Sequence, residues 1–166
     1  MVAGGKKREA GPDSAVMQLV KQNRIVLSID VRGFGETADH GSNEKHCNKE
    51  HRVAVLARDI GRPLIGQRVE DILAALDVLV GQPYVNPSEI EAIGVERAGP
   101  VVLHAAALDK RIGRVTLKNS IKSWIDDVVA RPKIHNLIGH VIPNALEFYD
   151  LPDLLEAIKP RKVEHE

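Results

Sequence analysis

Residues 90–99 read Ile90-Glu91-Ala92-Ile93-Gly94-Val95-Glu96-Arg97-Ala98-Gly99. The mostly apolar first part, residues 90–95, predicts a short strand, and the small residues that follow predict a helix over residues 101–108. Glycines on either side of Glu96 allow a strand and a helix to approach closely around a sharp turn. Such a turn also occurs in parallel sheets that carry no catalytic site, so its shape alone assigns no chemistry.

Apolar segments before residue 90 predict one more strand and a long helical region. The run Ile25-Val26-Leu27-Ser28-Ile29 is rich in β-branched residues, which predicts a buried strand over residues 24–30. Between residues 53 and 80 the apolar positions recur at helical spacing, with a break expected at Gly61-Arg62-Pro63. Residues 31–52 follow neither periodicity and are expected to form a long loop.

Segments after residue 99 continue the alternation of strands and helices. Residues 112–117 predict a third strand, Leu151–Ile158 predicts an amphipathic helix, and Arg161-Lys162-Val163 predicts the start of another strand. This alternation is typical of an α/β fold built on a parallel sheet with helices on both faces.

Length and composition narrow the class of protein. A chain of 166 residues fits one domain, expected over residues 15–166 after a disordered tail, residues 1–14. Its 23 basic and 23 acidic residues cancel, which argues against nucleic acid or an anionic membrane as a partner. Cys47 is the only cysteine, so no intrachain disulfide can form. No run reaches the ~18 apolar residues of a membrane span, and no signal peptide is evident, so a soluble protein is expected.

Further segments match parts of one fold family, in the order in which that family has them. Residues 30–35 match a D-x-R-G-x-G turn after a central strand, and residues 66–72 and 104–109 match the helices before and behind a nucleophile elbow. Residues 141–153 and 159–161 match the lead-in to the strand that carries a catalytic acid. From about Ile25 to Val163 the chain resembles the central part of the α/β-hydrolase fold, in particular the acetyl xylan esterase-like members.

The resemblance implies a carboxylic ester hydrolase domain, with a small acyl ester or an acetylated carbohydrate as its ligand and no cofactor. In the family's G-x-S-x-G pattern, Gly94 takes the first position, Glu96 takes the place of the nucleophilic serine, and Ala98 takes the last position. The backbone N–H of Arg97 corresponds to one oxyanion donor. Glu96 and Arg97 are therefore the candidate catalytic residues.

Loss of the nucleophile costs a serine hydrolase about 10⁶ in turnover, so Glu96 predicts an inactive domain, a pseudoenzyme. In the family the catalytic acid and histidine follow the region matched here, and the loop with the second oxyanion donor precedes it. We therefore expect a partial α/β-hydrolase fold, truncated at both ends relative to the family and without a recognisable triad.

Three other interpretations stay open. Glu96 itself could be a nucleophile, as Asp is in haloalkane dehalogenases and epoxide hydrolases, although such a mechanism needs a base that no matched histidine supplies. The chain could instead be a non-catalytic binding or interaction module derived from a hydrolase. It could also be a fragment, with the missing strands encoded beside it. Unpaired strand edges further predict self-association.

Three smaller patterns carry weaker signals. His40, His46, Cys47 and His51 fall in one loop and are zinc-type ligands, but their spacing fits no standard motif and a solvated polar loop is favoured. The glycines of Gly33-Phe34-Gly35 resemble a dinucleotide fingerprint, but no helix is predicted after them. An isolated Trp124 and a His104 among small apolar residues are both more typical of packing than of catalysis.

Overall fold

The structure, a computed structural model, describes residues 11, 14–38, 49–131 and 137–166. Its described helices are α1 (Ala15–Lys21), α2 (Lys49–Asp59), α3 (Leu64–Val80), α4 (Gly99–Leu108) and α5 (Leu151–Ile158). The described strands are β1 (Glu91–Val95), β2 (Arg114–Lys118) and β3 (Lys162–His165). Among the described residues, no helix is long and apolar enough to cross a membrane.

The three strands form one parallel sheet in the order β1-β2-β3. Glu91 of β1 is in register with Arg114 of β2, which is in register with Lys162 of β3. The strands predicted around residues 90–95 and 112–117 are therefore neighbours, and the start of a strand predicted at residues 161–163 is β3. The prediction of an α/β fold with a parallel sheet and helices around it is confirmed.

The strand predicted over residues 24–30 is wrong. Within the described part of the chain, no backbone hydrogen bond is made by residues 25–29, and Ile25 and Leu27 are 57% and 42% exposed. Arg24 reaches Glu91 of β1 with an Nη1–Oε2 distance of 2.5 Å, but a groove of about 650 Å³ separates this segment from β1. An apolar run forms a strand only where a partner backbone lies within hydrogen-bonding distance, and sequence composition does not reveal that partner.

The helical region predicted over residues 53–80 is two helices, broken where expected. Gly61 has a φ of +72°, which glycine adopts without strain, and Pro63 directly precedes α3. The loop predicted over residues 31–52 is wrong at its C-terminal end, because α2 begins at Lys49, and its N-terminal part contains a short 3₁₀ turn, Gly35–Thr37. Ser14 caps α1, since its Oγ accepts a hydrogen bond of 3.2 Å from the Met17 N–H.

Helix α4 lies at the centre of the core. It packs against β1 and β2, and α3 and α5 both pack on it. Val101, Val102, Ala105 and Ala106 on α4 are fully buried. Burying each valine side chain stabilises the fold by roughly 1.5–3 kcal/mol, so α4 is firmly anchored in the core. The tail predicted over residues 1–14 falls almost wholly outside the described residues.

Candidate functional site

The turn at Glu96 lies where β1 ends and the chain enters α4 through a 3₁₀ turn, Glu96–Ala98. Glu96 has a φ of +51°, in the left-handed region that a residue with a side chain occupies at a cost of about 1–2 kcal/mol. Its side chain is exposed. The sequence placed Glu96 at the tip of this turn, and the structure has it there.

The glycines beside Glu96 are required by the close approach of β1, α4 and the chain after β2. A Cβ atom on Gly94 would lie 2.8 Å from the Cα of Gly99. A Cβ atom on Gly99 would lie 1.8 Å from Oγ of Ser120. No side chain fits at either position without movement of the surrounding chain.

Arg97 leads away from the turn into a buried cluster of charged groups. Its Nη1 forms a close ion pair with Oε2 of Glu50, the second residue of α2. The other oxygen of Glu50, Oε1, accepts a hydrogen bond of 2.8 Å from Nη2 of Arg68 on α3. The ring of Phe34 contacts both guanidinium groups, with its centroid 4.3 Å from Cζ of Arg68 and 4.8 Å from Cζ of Arg97. Glu50 thus joins α2, α3 and the turn.

Arg68 is fully buried, and burial lowers its pKa although the neighbouring carboxylate of Glu50 favours the charged form. Its Nε donates a hydrogen bond of 3.0 Å to the carbonyl oxygen of Arg32. The N–H of Arg32 in turn donates to Oδ2 of Asp71 at 2.9 Å. These bonds fix the segment that resembles the D-x-R-G-x-G turn onto α3, close to the Glu96 turn.

The catalytic parts present at the turn are few. Within the described residues the carboxylate of Glu96 takes part in no hydrogen bond or ion pair, and no histidine contacts it. The backbone N–H of Arg97 makes no hydrogen bond outside its own 3₁₀ turn there. The site therefore offers one carboxylate, one backbone donor and a guanidinium already paired with Glu50. Esterase chemistry also needs a base beside its nucleophile.

His104 is a packing residue, as its sequence context predicted. Its Nδ1 is 2.6 Å from the carbonyl oxygen of Pro100 and its Nε2 is 2.9 Å from the hydroxyl of Tyr149. Its ring also packs against Trp124, with centroids 5.6 Å apart. Burial lowers the pKa of His104. Trp124 is 8% exposed and belongs to the core.

The zinc-type loop lies mostly outside the described residues, which do not include His40, His46 or Cys47. His51 is described and lies in the first turn of α2. Among the described residues, no group of three His, Cys, Asp or Glu side chains is placed to hold a metal ion.

Sequence reasoning missed four largely buried polar residues: Glu50, Arg68, His140 and Asp150. Arg68 had a signal, because it stands within the apolar stripe of α3 between Ile65 and Ile72, where a charge needs a buried partner. Asp150 also had one, because Asp153 three residues later completes a capping box at the start of α5. Glu50 and His140 had none, since only the folded chain brings their surroundings together.

The parallel sheet, the helices around it and the left-handed turn at Glu96 make this a hydrolase-like α/β fold. A solved structure described as a "putative acetyl xylan esterase" from Bacteroides fragilis NCTC 9343 has a TM-score of 0.73 to it, with 20% identity, over 90% of this chain and 41% of that one. The "Putative hydrolase YtaP" of Bacillus subtilis strain 168 is 30% identical over 140 residues, 82% of this chain and 43% of the relative. The chain thus spans less than half the length of either protein. No family model matches it.

Proposed function

We propose that this chain is a domain derived from a carboxylic ester hydrolase of the acetyl xylan esterase-like type, and that it does not hydrolyse esters. The observation that carries the proposal is the turn at Glu96, where a left-handed backbone and close-packed glycines surround a glutamate. The backbone shape is that of a nucleophile elbow, in which serine is the reacting residue. The ligand class that fits this origin is a small acyl ester or an acetylated carbohydrate.

A glutamate at this position does not replace the serine. A carboxylate that attacked an ester would form an anhydride, and release of that intermediate would need an activated water and a base. Of the four described histidines, His104 is held by Pro100 and Tyr149, and His140 is buried with a pKa of about 3. In the described part of the chain, none of the four forms a hydrogen bond or an ion pair with Glu96.

The site also has few hydrogen-bond donors for an oxyanion. The N–H of Arg97 is a single donor, and loss of one donor from a complete oxyanion hole costs about 10²–10³ in turnover. The guanidinium of Arg97 is drawn toward Glu50 and away from the exposed carboxylate of Glu96.

Hydrolysis of p-nitrophenyl acetate tests the proposal. We expect the purified chain to release p-nitrophenol at the buffer rate, and Glu96→Ser to leave that rate unchanged, because a serine without a base stays protonated. Glu89→Ser, at an exposed glutamate before β1, is the matched control. Saturable turnover that Glu96→Ala abolishes would refute the proposal and favour a carboxylate nucleophile.

A second candidate, an interaction module derived from the same fold, is favoured by the groove between β1 and residues 25–29. Residues of β1 line one side of the groove, and Ile25 and Leu27, whose side chains are exposed, line another. Such a groove suits an extended peptide segment that adds to the edge of a sheet.

A further inference from the structure

Residues 25–29 combine exposed apolar side chains with a backbone that makes no hydrogen bond. In the described part of the chain, residues 24–31 belong to no helix, strand or turn, and none of residues 25–29 donates or accepts a backbone hydrogen bond. Exposure alternates along the segment. Ile25 and Leu27 are exposed, whereas Val26 and Ser28 are half-buried. Side chains alternate in this way along a β-strand, so the segment has the pattern of a strand but no strand partner among the described residues.

The composition of the segment favours pairing with another strand. Three of its five residues, Ile25, Val26 and Ile29, are β-branched, and such side chains suit the pleated surface of a sheet. Proteins protect exposed strand edges with lysine, proline or a bulge. Residues 25–29 contain no lysine, no proline and no glycine. The segment thus carries none of the residues that commonly prevent the addition of a strand.

The sequence around Leu27 is symmetric in its chemistry. Basic Arg24 lies three residues before Leu27, and acidic Asp30 lies three residues after it. Isoleucine occupies the positions two residues to either side. When two antiparallel copies are centred on Leu27, the basic residue of each copy faces the acidic residue of the other, and isoleucine faces isoleucine. Such cross-strand pairs are stabilising, whereas like charges placed opposite each other are destabilising. Every other register separates Arg24 from Asp30.

The two charges determine the register more than the affinity. The side chain of Arg24 is 48% exposed although it pairs with Glu91. Asp30 is half-buried, and its Oδ2 lies 3.0 Å from the backbone nitrogen of Glu36. Ion pairs between exposed groups contribute little because water and salt screen them. The free energy of association comes instead from backbone pairing and from burial of the apolar side chains.

We propose that residues 24–30 of two copies of this chain pair as antiparallel strands centred on Leu27. The proposal rests on the second candidate function, the interaction module, and names its partner as a second copy of the chain. A different polypeptide would need no symmetry of charge about Leu27. Strands this short bury much less area than a stable interface does, so the association is weak and requires a high protein concentration.

Disulfide cross-linking tests the register. In a Cys47→Ser background, which removes the native cysteine, Leu27→Cys places two sulfur atoms opposite each other, where the Cα atoms are about 4.5–5.5 Å apart and a disulfide can form. Ile25→Cys, at another exposed apolar residue of the segment, is the matched control. Its two copies would lie about 13 Å apart along the strands, which a disulfide cannot span. On mild oxidation, Leu27→Cys should give at least about ten times more cross-linked dimer than Ile25→Cys on a non-reducing gel.

A mixture of variants separates register from reactivity. Ile25→Cys and Ile29→Cys face each other in the proposed register, so mixing them should restore the cross-linked product as a mixed dimer. Equal products from Leu27→Cys and Ile25→Cys, no product from Leu27→Cys, or no mixed dimer would overturn the proposal. Circular dichroism verifies that the variants are folded.

Hydrogen exchange tests the backbone pairing in the unaltered chain. Between about 10 μM and about 1 mM protein, amides within residues 25–29 should exchange at least about threefold more slowly at the higher concentration, because pairing protects them. Helix α4, which is buried within one chain, should exchange at the same rate at both concentrations. Exchange in residues 25–29 that does not depend on concentration would refute self-pairing, even if a cysteine variant does not fold.

Neither experiment measures ester hydrolysis, so the two proposals fail separately. Turnover of p-nitrophenyl acetate would overturn the inactive hydrolase domain and leave self-pairing in place. Binding of an unrelated extended peptide without any self-pairing would support the interaction module and refute the present proposal.

Discussion

Asp150 joins two segments of chain with one carboxylate. Its Oδ2 accepts a hydrogen bond of 2.6 Å from Oγ of Ser123, and its Oδ1 accepts bonds of 2.7 Å and 2.6 Å from the N–H groups of Trp124 and Leu151. It is thus the N-cap of α5 and at the same time holds the chain that follows β2. A buried carboxylate with this many donors leaves several of them unpaired when it is removed.

We expect Asp150→Ala to lower the free energy of unfolding by about 3 kcal/mol, because a cap and hydrogen bonds to a charged group are lost together. Urea denaturation followed by circular dichroism measures the change. Asp126→Ala removes an exposed carboxylate from the same region and should cost less than about 1 kcal/mol. Equal losses in the two variants would contradict the role of Asp150.

The pH dependence of stability gives a second test of Asp150. Burial tends to raise its pKa, but the hydrogen bonds from Ser123, Trp124 and Leu151 outweigh burial and hold that pKa below its usual value. A carboxyl group whose pKa is lower in the folded state stabilises the fold fully above its unfolded pKa of about 3.9, and this stabilisation is lost as pH falls through the folded pKa. Between about pH 5 and pH 2, the unfolding free energy of Asp150→Asn should therefore decline less steeply than that of the parent chain. A parallel decline would contradict the assignment.

Glu96 carries strain that a substitution can release. Its φ of +51° is unfavourable for glutamate and acceptable for glycine. We expect Glu96→Gly to raise the free energy of unfolding by up to about 1 kcal/mol, with the gain limited by the greater flexibility of glycine in the unfolded chain. Glu89→Gly, at an exposed glutamate without a positive φ, should instead lower it by about 0.5–1 kcal/mol. A loss in both variants would mean that contacts of the Glu96 side chain outweigh the backbone strain.

At the scale of elements, β1, α4 and the chain after β2 pack closely because Gly94 and Gly99 at their junction have no side chain. Gly99 has a φ of −55°, which suits any residue, so only the lack of space opposes alanine there. We expect Gly99→Ala to lower the free energy of unfolding by about 2 kcal/mol, because its Cβ would overlap Ser120. Adding Ser120→Gly should restore about half of that loss or more, as a double-mutant cycle would show.

Gly94→Ala is the matched control for that cycle. Its Cβ would meet the backbone of Ala98 and Gly99, and Ser120 is not among its nearest contacts. Ser120→Gly should therefore not rescue it. Rescue of both glycine variants, or of neither, would contradict the packing described for this junction.

Elements with strong local signals were predictable from sequence. The bounds of α5 were predicted to the residue, and the break before α3 was marked by Gly61 and Pro63. The segment over residues 25–29 was not predictable, because its β-branched composition is the same whether or not a partner strand lies beside it. The position of Glu96 in its turn followed from the flanking glycines, whereas Glu50, which binds Arg97, lies far away in sequence and carries no local signal.

At the scale of the whole molecule, the edge of the sheet at β1 faces a groove. In the described sheet β1 has one strand neighbour, β2, and its other side faces the groove beside residues 25–29. A groove at the edge of a sheet, with exposed apolar side chains beside it, favours association between chains. Self-association through this groove is therefore our proposal for the assembly of the isolated chain.

Light scattering coupled to size exclusion measures this association. We expect the mass to rise with protein concentration, and Leu27→Lys to shift the protein toward monomer by placing a charge beside the groove. Ile60→Lys changes another exposed apolar residue, directly after α2 and not in the lining of the groove, and should have no such effect. A constant monomer mass at every protein concentration would refute association through the groove.

The order of the strands has a consequence for synthesis on the ribosome. Because β1, β2 and β3 are neighbours in the same order as they occur in the chain, each strand that emerges finds its partner already made, and the sheet can grow in one direction. The time of synthesis between successive strands is unequal, because the segment from β2 to β3 is longer than that from β1 to β2. While the segment between β2 and β3 is being made, the unpaired edge of β2 is exposed to other nascent chains. This is the interval in which a chaperone would protect the protein most.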